Sequence, residues 1–445
     1  MISPKQIISI IEYASSDRAI LLIGPPRCGK SWAVKEGAKR RAEKRGKKFI
    51  EYAFRPDMLT PEVITDMIAN PDKYYLFVDL RLSTKEPYDI EGRLEDAEIN
   101  INGKRFEYTK QKAPLWAVLL SVVEGVLFLD ELLDVQRPDV KATSYQLLLD
   151  KQAGNTKFRD DVLITAAGNG ETSSLSTGLT LPQAGRLKIF NVRAPTVEEW
   201  IEFMEGYTNR RFGAYKDGFD KSVIAYLQHY KDSLLKLPVE NISGGDISEQ
   251  VYKSETYEAY PSPDAWTHLA LALQKERELI DIIGLTEFIA AYIGPSEAMT
   301  FKQFYEEVIR VNIDELLAQP NKVRELDWNT KAAVLVQLAS RLNEDATNLL
   351  KYKPLLDTLV LKDKHSDLLV ILRSLMAKTF PSNFNLKVFK KHIQNEKNYK
   401  LLETVTKDNR VTYNSVLLYI LGSIDIRYMD LVSDICKAVM CIRRD

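Results

Sequence analysis

The chain has 445 residues, of which 45% are hydrophobic and 28% are charged, and its formal net charge is −1. This length is too great for one simple core, so we expect two or three domains, and the balanced charge gives no electrostatic footprint for nucleic acid or for an anionic membrane. The three cysteines and four scattered histidines argue against a disulfide framework and against a metal site built from protein side chains alone.

The sequence also lacks the usual signals for export and membrane insertion. Its N-terminal residues show no basic region followed by an apolar stretch and a cleavage site. No apolar run approaches the roughly 18 residues that a spanning helix requires. We therefore expect a cytoplasmic protein without a membrane partner.

The first 195 residues alternate strand patterns with helical patterns. Strands are predicted at 19–24, 49–54, 74–82, 125–130 and 161–167, and helices at 3–16, 30–47, 60–69 and 114–123. This alternation favours a parallel sheet with crossover helices. Residues 97–109 interrupt it with polar and apolar residues that alternate around Asn102-Gly103, which predicts an inserted β-hairpin.

Helical periodicity dominates after Pro195, and strand patterns become scarce. We predict an α/β core at 1–195, a helical lid at 196–295 and a helical C-terminal region at 296–445. Residues 240–260 are polar and contain glycine, so we interpret them as a loop.

A phosphate-binding motif follows the first predicted strand. It reads Gly24, Pro25, Pro26, Arg27, Cys28, Gly29, Lys30 and Ser31. This segment fits the P-loop pattern, in which successive backbone N–H groups and a helix N-terminus converge on phosphate oxygens. Lys30 can reach the outer phosphates and the Ser31 hydroxyl can bind Mg²⁺. The sequence therefore predicts a site for a nucleoside triphosphate, most simply ATP with Mg²⁺.

A carboxylate pair ends the predicted strand at 125–130. Asp130 and Glu131 follow four apolar residues, an arrangement that resembles a Walker B element. Asp130 can hold Mg²⁺ through its water shell, and Glu131 can polarise a water for attack on the γ-phosphate. Such a pair is often a solvated strand end, but together with a P-loop it favours a hydrolase.

Three more polar residues are candidates for the same site. Asn169 ends an apolar strand and can contact the attacking water or the γ-phosphate, although Asn-Gly at a strand end is more often a turn. Arg186 precedes another apolar strand and is either an exposed capping arginine or a finger supplied to a neighbour's nucleotide. Arg137 is a weaker candidate for the finger.

The order of these motifs resembles the AAA+ ATPases, and more narrowly their MoxR-type branch of phage and bacterial ATP-binding proteins. The segments that carry the resemblance are VDLRLSTKEPYDIEGR, DELLDVQRPDVKATSYQLLLDKQ, LPQAGRLKIFNVRAPTVEEW, YPSPDAW and IGPSEAMTFKQFYEEV. It covers residues 18 to about 395, closely up to 200 and loosely afterwards. It implies an AAA+ α/β core with an inserted hairpin, followed by a helical lid and a helical C-terminal region.

One position departs from the family pattern. Many relatives carry a sensor arginine after the proline of the Pro-x-x-Trp segment, whereas this chain has Asp264 in Pro263-Asp264-Ala265-Trp266. A carboxylate cannot contact phosphate as an arginine does. Either Arg277 on the following helix substitutes for it, or this sensor is missing.

The resemblance and Arg186 together imply an ATP hydrolase that works as a homo-oligomeric ring, expected to be a hexamer, and acts as a chaperone on a protein client. A partner with a von Willebrand factor A domain would suit a MoxR relative. One alternative is a nucleic-acid motor or loader, which the mixed charges of the insert leave open. Another is a silent nucleotide-binding scaffold, against which the intact motifs argue. Cys28 raises a further idea, oxidative inactivation, because a helix N-terminus lowers a thiol pKa.

Overall fold

The computed structural model describes residues 1–52, 59–102, 104–135, 137–169, 184–210, 219–237, 258–361, 366–376, 380, 383–393, 395–406, 411–428 and 431. Of the predicted loop at 240–260, only residues 258–260 are among them. The chain divides into two units, which are Met1–Pro195 and Thr196–Leu237 together with the residues from Glu258 onward.

The first unit is built on a six-stranded parallel sheet. The strands of this unit, in the sheet and in two separate hairpins, are β1 (Ile20–Ile23), β2 (Lys48–Tyr52), β3 (Tyr74–Arg81), β4 (Arg93–Ile101), β5 (Lys104–Lys112), β6 (Gly125–Asp130), β7 (Gln152–Ala153), β8 (Thr156–Lys157), β9 (Leu163–Gly168) and β10 (Lys188–Asn191). The sheet order is β10-β1-β9-β6-β3-β2, and every neighbouring pair is parallel. The predicted parallel α/β fold is thereby confirmed.

Helices cover both faces of this sheet. The helices of this unit are α1 (Pro4–Tyr13), α2 (Lys30–Lys44), α3 (Pro61–Ala69), α4 (Pro87–Glu91), α5 (Leu115–Val122) and α6 (Pro138–Asp150). One apolar core joins α1 and α2 to the sheet, and a second joins α3, α5 and α6 to the opposite face. Because both faces are buried, the central strands read as continuous apolar runs.

The predicted inserted hairpin is confirmed. Strands β4 and β5 pair antiparallel from Arg93↔Lys112 to Ile101↔Lys104, so the hairpin is longer at both ends than the predicted 97–109. Asn102 has a φ of 53°, the left-handed conformation that a tight two-residue turn requires. Gly103 lies outside the described residues.

The second unit is helical in its described part. Its helices are α7 (Val197–Arg210), α8 (Ser222–His229), α9 (Pro263–Lys275), α10 (Arg277–Ile283), α11 (Leu285–Ile293), α12 (Pro295–Arg310), α13 (Ile313–Ala318), α14 (Trp328–Glu344), α15 (Asn348–Leu356), α16 (Ser366–Leu375), α17 (Glu396–Val405) and α18 (Tyr413–Ile424). One apolar core includes side chains from both sides of residue 295. The division between lid and C-terminal region at that residue stays a prediction. No helix in the described ranges is long and apolar enough to cross a membrane.

Candidate functional site

The P-loop leaves the sheet where its strand order reverses. Strand β1 lies between β9 and β10, and the chain turns from its carboxyl end into α2. In open parallel sheets ligands bind in the crevice at such a switch point. Two glycines allow the turn: a Cβ on Gly24 would lie 2.5 Å from the Val192 carbonyl oxygen, and Gly29 has a φ of 95°.

Lys30 begins α2 and is held against its own loop. Its side chain is 7% exposed, and its Nζ donates hydrogen bonds to the carbonyl oxygens of Gly24 at 2.9 Å and Pro25 at 2.7 Å. Burial lowers the pKa of Lys30, while the nearby carboxylates of Asp130 and Asp134 oppose that shift. A buried ammonium group that donates hydrogen bonds only to uncharged oxygens can exchange them for negatively charged phosphate oxygens.

The P-loop and the carboxylate pair meet through Ser31. Its Oγ donates a 2.8 Å hydrogen bond to Oδ2 of Asp130 at the end of β6. Burial raises the pKa of Asp130, whereas the hydrogen bonds from Ser31 and from the backbone N–H of Glu131 lower it. The two oxygens that the sequence predicts as Mg²⁺ ligands are therefore neighbours in space.

Glu131 follows in a constrained backbone conformation. Its φ and ψ are 62° and 30°, in the left-handed region that non-glycine residues rarely adopt. Its carboxylate accepts a hydrogen bond from Ser83, in the turn after β3, and lies 3.8 Å from the Nε of Arg81 at the end of β3. Backbone strain of this kind is frequently found at functional sites. Here the two neighbouring carboxylates contact different residues, Ser31 in the case of Asp130 and Ser83 in the case of Glu131.

Asn169 lies beside the P-loop because β9 is the direct neighbour of β1. Its Oδ1 accepts a 3.3 Å hydrogen bond from Nζ of Lys30, and its Nδ2 donates a 2.9 Å hydrogen bond to Asp134. The amide therefore links the P-loop lysine to the turn that follows the carboxylate pair. The sequence prediction did not include Asp134, and no local pattern marks it as part of the site.

The two arginine candidates differ in their surroundings. Arg186 is exposed in a turn before β10 and makes no hydrogen bond or ion pair within the described part of the chain. Arg137 is held by ion pairs to Glu86 and, at 2.7 Å, to Asp139. Among the described residues, Arg186 is therefore the exposed guanidinium of the two that has no partner.

The surroundings of the P-loop thiol and of the expected sensor position are also defined. Cys28 is 2% exposed, and burial raises the pKa of its thiol, opposite to the lowering expected from the helix N-terminus alone. A protonated, enclosed thiol does not support oxidative inactivation. Asp264 is in the first turn of α9, 3.6 Å from the Nε2 of His268, and Arg277 begins α10.

Asp79 is a carboxylate near the site that sequence reasoning also missed. It lies near the end of β3, between β6 and β2 in the sheet. Burial against the protein raises its pKa to about 6, and the charge of Asp130 contributes in the same direction. The residue as a whole is nonetheless exposed, so contact with solvent opposes part of this shift.

The donor set at this edge fits a magnesium ion bound together with a nucleotide. Ser31 and Asp130 offer a hydroxyl and a carboxylate oxygen, the hard ligands that Mg²⁺ prefers, and phosphate oxygens complete such sites. The described residues contain no group of three or more His, Cys, Asp or Glu side chains arranged to hold a metal ion.

No family model and no curated protein matches the sequence. Among solved structures, the chain is similar to NtrX from Brucella abortus, with 15% identity, a TM-score of 0.28, and coverage of 84% of this chain and 68% of that chain. It is similar to the Orc1 protein of Aeropyrum pernix in complex with DNA, with 12% identity, a TM-score of 0.30, and coverage of 96% and 81%.

A third similar structure is a mutant RuvB from Thermotoga maritima, with 14% identity, a TM-score of 0.27, and coverage of 79% of this chain and 83% of that chain. These likenesses are too distant to assign a function. The chain's own strand, glycine-rich turn and helix, at the switch point of a parallel sheet, define a P-loop fold.

Proposed function

We propose that this chain is an ATP hydrolase of the AAA+ class, similar to the MoxR branch, that works as an oligomeric ring and remodels a partner protein. The contact of Ser31 with Asp130 is the observation that carries the proposal, because it joins the P-loop to the carboxylate pair. A chance glycine-rich turn would not bring these two residues together across the sheet.

The reaction is divided among the residues of the crevice. The P-loop N–H groups and Lys30 bind the phosphates, and Lys30 exchanges its two loop carbonyls for phosphate oxygens. Ser31 and Asp130 would hold Mg²⁺, which would neutralise charge that develops on the phosphates. Glu131 polarises the attacking water, and Asn169 orients the water or the γ-phosphate.

The oligomer is proposed from Arg186. An exposed guanidinium without a described partner contributes little to the stability of its own subunit. Placed at a neighbour's γ-phosphate, it stabilises charge in the transition state. A closed ring of identical subunits, expected to be a hexamer, gives every site such an arginine. The protein client, with a von Willebrand factor A domain protein as one candidate partner, belongs to the same proposal.

Substitution of Glu131 tests the hydrolytic role. Glu131→Gln should keep ATP affinity and lose turnover, because an amide preserves the shape of the side chain but does not polarise water as a carboxylate does. The rate should fall by about 10² or more. Binding of a fluorescent ATP analogue and release of phosphate measure the two properties separately.

Glu62→Gln is the matched control, because Glu62 is an exposed carboxylate in the first turn of α3 and belongs to none of the motifs. Its turnover should equal that of the unmodified chain. Turnover of Glu131→Gln near that level would remove Glu131 from the mechanism. A chain that neither binds ATP nor releases phosphate would reject the proposed function altogether.

A further inference from the structure

The register of the inserted hairpin sorts its side chains onto two faces, since successive residues of a strand point to opposite sides. The cationic face comprises Arg93, Glu95, Ala97, Ile99 and Ile101 of β4 with Lys104, Phe106, Tyr108, Lys110 and Lys112 of β5. The acidic face comprises Leu94, Asp96, Glu98 and Asn100 with Arg105, Glu107, Thr109 and Gln111.

Charges that are mixed in the sequence are separated by this pairing. The cationic face has four basic side chains and one acid, Glu95, which lies 2.9 Å from Lys112. The acidic face has three carboxylates and one base, Arg105, which is paired with Glu98. The hairpin therefore presents a net positive surface on one side and a net negative surface on the other.

The cationic face is also apolar at its centre. Ile99 is 47% exposed and Ile101 is 49% exposed, and Phe106 and Tyr108 are each 48% exposed. Ile99 is directly opposite Phe106 in the register, so these side chains form one continuous strip. Such an apolar strip rimmed by charge marks an interaction site, and a two-stranded ribbon on its own is only marginally stable in water.

The outer edge of β5 offers backbone hydrogen bonds to a partner. Within the described residues, β4 and β5 form a sheet of two strands, so neither has a second neighbour there. An extended peptide can add to such an edge through main-chain hydrogen bonds, while its side chains select the register. Three of the four bases on the cationic face are on β5, which favours this edge over that of β4.

We propose that the β5 edge and the cationic face together bind an extended protein segment in which acidic residues flank two apolar residues. Side chains of the added strand would be cross-strand neighbours of those on β5. Apolar side chains would meet Phe106 and Tyr108, and carboxylates would meet Lys104, Lys110 and Lys112. The identification of this segment as part of a client rests on the proposed function.

A peptide fits these features better than a single-stranded nucleic acid does. Two aromatic rings among lysines would suit stacked bases and phosphates. However, Ile99 and Ile101 occupy half of the exposed strip, and the open backbone edge can pair with the main chain of a peptide, which a nucleotide lacks. Both features are matched by an extended acidic peptide.

Fluorescence anisotropy with the full chain tests this proposal. The probe is the labelled peptide Glu-Thr-Val-Thr-Val-Thr-Glu-Thr-Glu, used together with its reversed sequence because the added strand can run in either direction. One of the two should bind, and a version with lysine at every glutamate position should not. The peptide with N-methylated amides should also fail to bind, because it cannot donate main-chain hydrogen bonds.

Substitutions on the two faces of β5 provide matched controls. Lys110→Gln and Arg105→Gln each remove one positive charge, but only Lys110 is on the cationic face. Lys110→Gln should weaken peptide binding about two- to fivefold, the usual range for one exposed ion pair, whereas Arg105→Gln should change it by less than about twofold. Phe106→Ser combined with Tyr108→Ser should weaken it by about tenfold or more.

The outcomes distinguish this proposal from the proposed function. Equal effects of Lys110→Gln and Arg105→Gln, no binding of either peptide, or unchanged binding after N-methylation would each overturn it. Tighter binding of a labelled nine-nucleotide oligothymidylate than of the peptides would reassign the face to nucleic acid. Basal ATPase activity should be unchanged in every hairpin variant. An unmodified chain that binds the peptide but does not hydrolyse ATP would reject the proposed function and leave peptide binding at the hairpin standing.

Discussion

The resting contacts of Lys30 show how single residues prepare the phosphate site. A lysine that is 7% exposed would be costly to bury without partners, and two carbonyl oxygens of its own loop satisfy it. Phosphate oxygens offer full negative charge in place of those dipoles. The proposed nucleotide binding would therefore exchange these hydrogen bonds for stronger, charge-assisted ones.

Asp79 gives a test of the crevice's electrostatics through stability. Its pKa in the folded chain is about 6, against an ordinary value of 3.8, so the folded protein binds more protons between these values. Its contribution to stability therefore decreases as pH rises through this window. Asp79→Asn should raise the melting temperature more at about pH 8 than at about pH 5. At pH 8 the Asp79 carboxylate is ionised in the folded chain at a cost in stability, and an amide, which never ionises, removes that cost.

Asp66→Asn is the control for that experiment. Hydrogen bonds from Tyr74 and then from Asn70 lower the pKa of Asp66, so this carboxylate stays ionised across the range tested. The effect of Asp66→Asn on the melting temperature should be the same at both pH values. An Asp79→Asn effect that is also independent of pH would show that Asp79 does not titrate abnormally.

At this scale, short sequence motifs predict residue types well and contacts between motifs less well. The P-loop and Asp130-Glu131 are visible as sequence, because backbone geometry and metal chemistry restrict which residues fit. The hydrogen bond from Ser83 to Glu131 joins residues 48 positions apart, and no local pattern predicts it. The same holds for Asp79, whose environment depends on the order of strands in the sheet.

Among the elements, α1 and α2 are fitted closely where they cross. A Cβ on Gly37 of α2 would lie 2.7 Å from the Cβ of Ile11 and 2.8 Å from the carbonyl oxygen of Ile8. Ile11 is fully buried, and Arg41 caps the end of α1 by donating to the Ile11 carbonyl at 3.0 Å. Only glycine lets the helices approach this closely.

Gly37→Ala should therefore destabilise the first unit. The added methyl group forces backbone apart, and overpacking of this kind costs about 1–3 kcal/mol in the free energy of unfolding. Chemical denaturation of the unmodified and substituted chains measures the difference. Amide exchange should be faster in Pro4–Tyr13 if the substitution loosens α1.

The same substitution at Gly206 should have the opposite sign. Gly206 lies inside α7, where no heavy atom of the described residues lies within 4 Å of the added Cβ apart from its chain neighbours and the helix backbone. Alanine in an open helix interior stabilises by about 0.5–1 kcal/mol, because it has less backbone entropy to lose. Equal effects of the two substitutions would contradict the close approach at Gly37.

Elements were predictable where the apolar pattern was strong. Strand β6 has the predicted bounds, and the strand predicted at 161–167 runs from Leu163 to Gly168. Asn102 at the predicted tip adopts a left-handed φ, which explains why this dipeptide is a good hairpin signal. The separation of charge between the hairpin's faces was not predicted, because it requires the pairing register as well as the composition.

At the scale of the whole molecule, the proposed active sites are each completed by two subunits. Each site is proposed to take its P-loop from one subunit and Arg186 from the next. The sequence predicts a change from α/β to helical structure at Pro195, and that division stays a prediction. It contains no local signal for ring size, because subunit packing depends on surfaces far apart in the chain.

Two inactive variants can therefore complement each other. Lys30→Ala should lose nucleotide binding but keep Arg186, and Arg186→Ala should bind ATP but lose the finger that a neighbour needs. In a random equal mixture, roughly one interface in four pairs an intact P-loop with an intact Arg186. Those interfaces should hydrolyse ATP.

Phosphate release by the mixture of Lys30→Ala and Arg186→Ala is the most direct measurement of the central claim. We predict little activity from either variant alone and a clear gain after the subunits are mixed and allowed to exchange. A control mixture of Lys30→Ala with a chain carrying both substitutions should stay inactive. If the first mixture of the two exchanged variants released no more phosphate than the average of its separate components, sites shared between subunits would be contradicted.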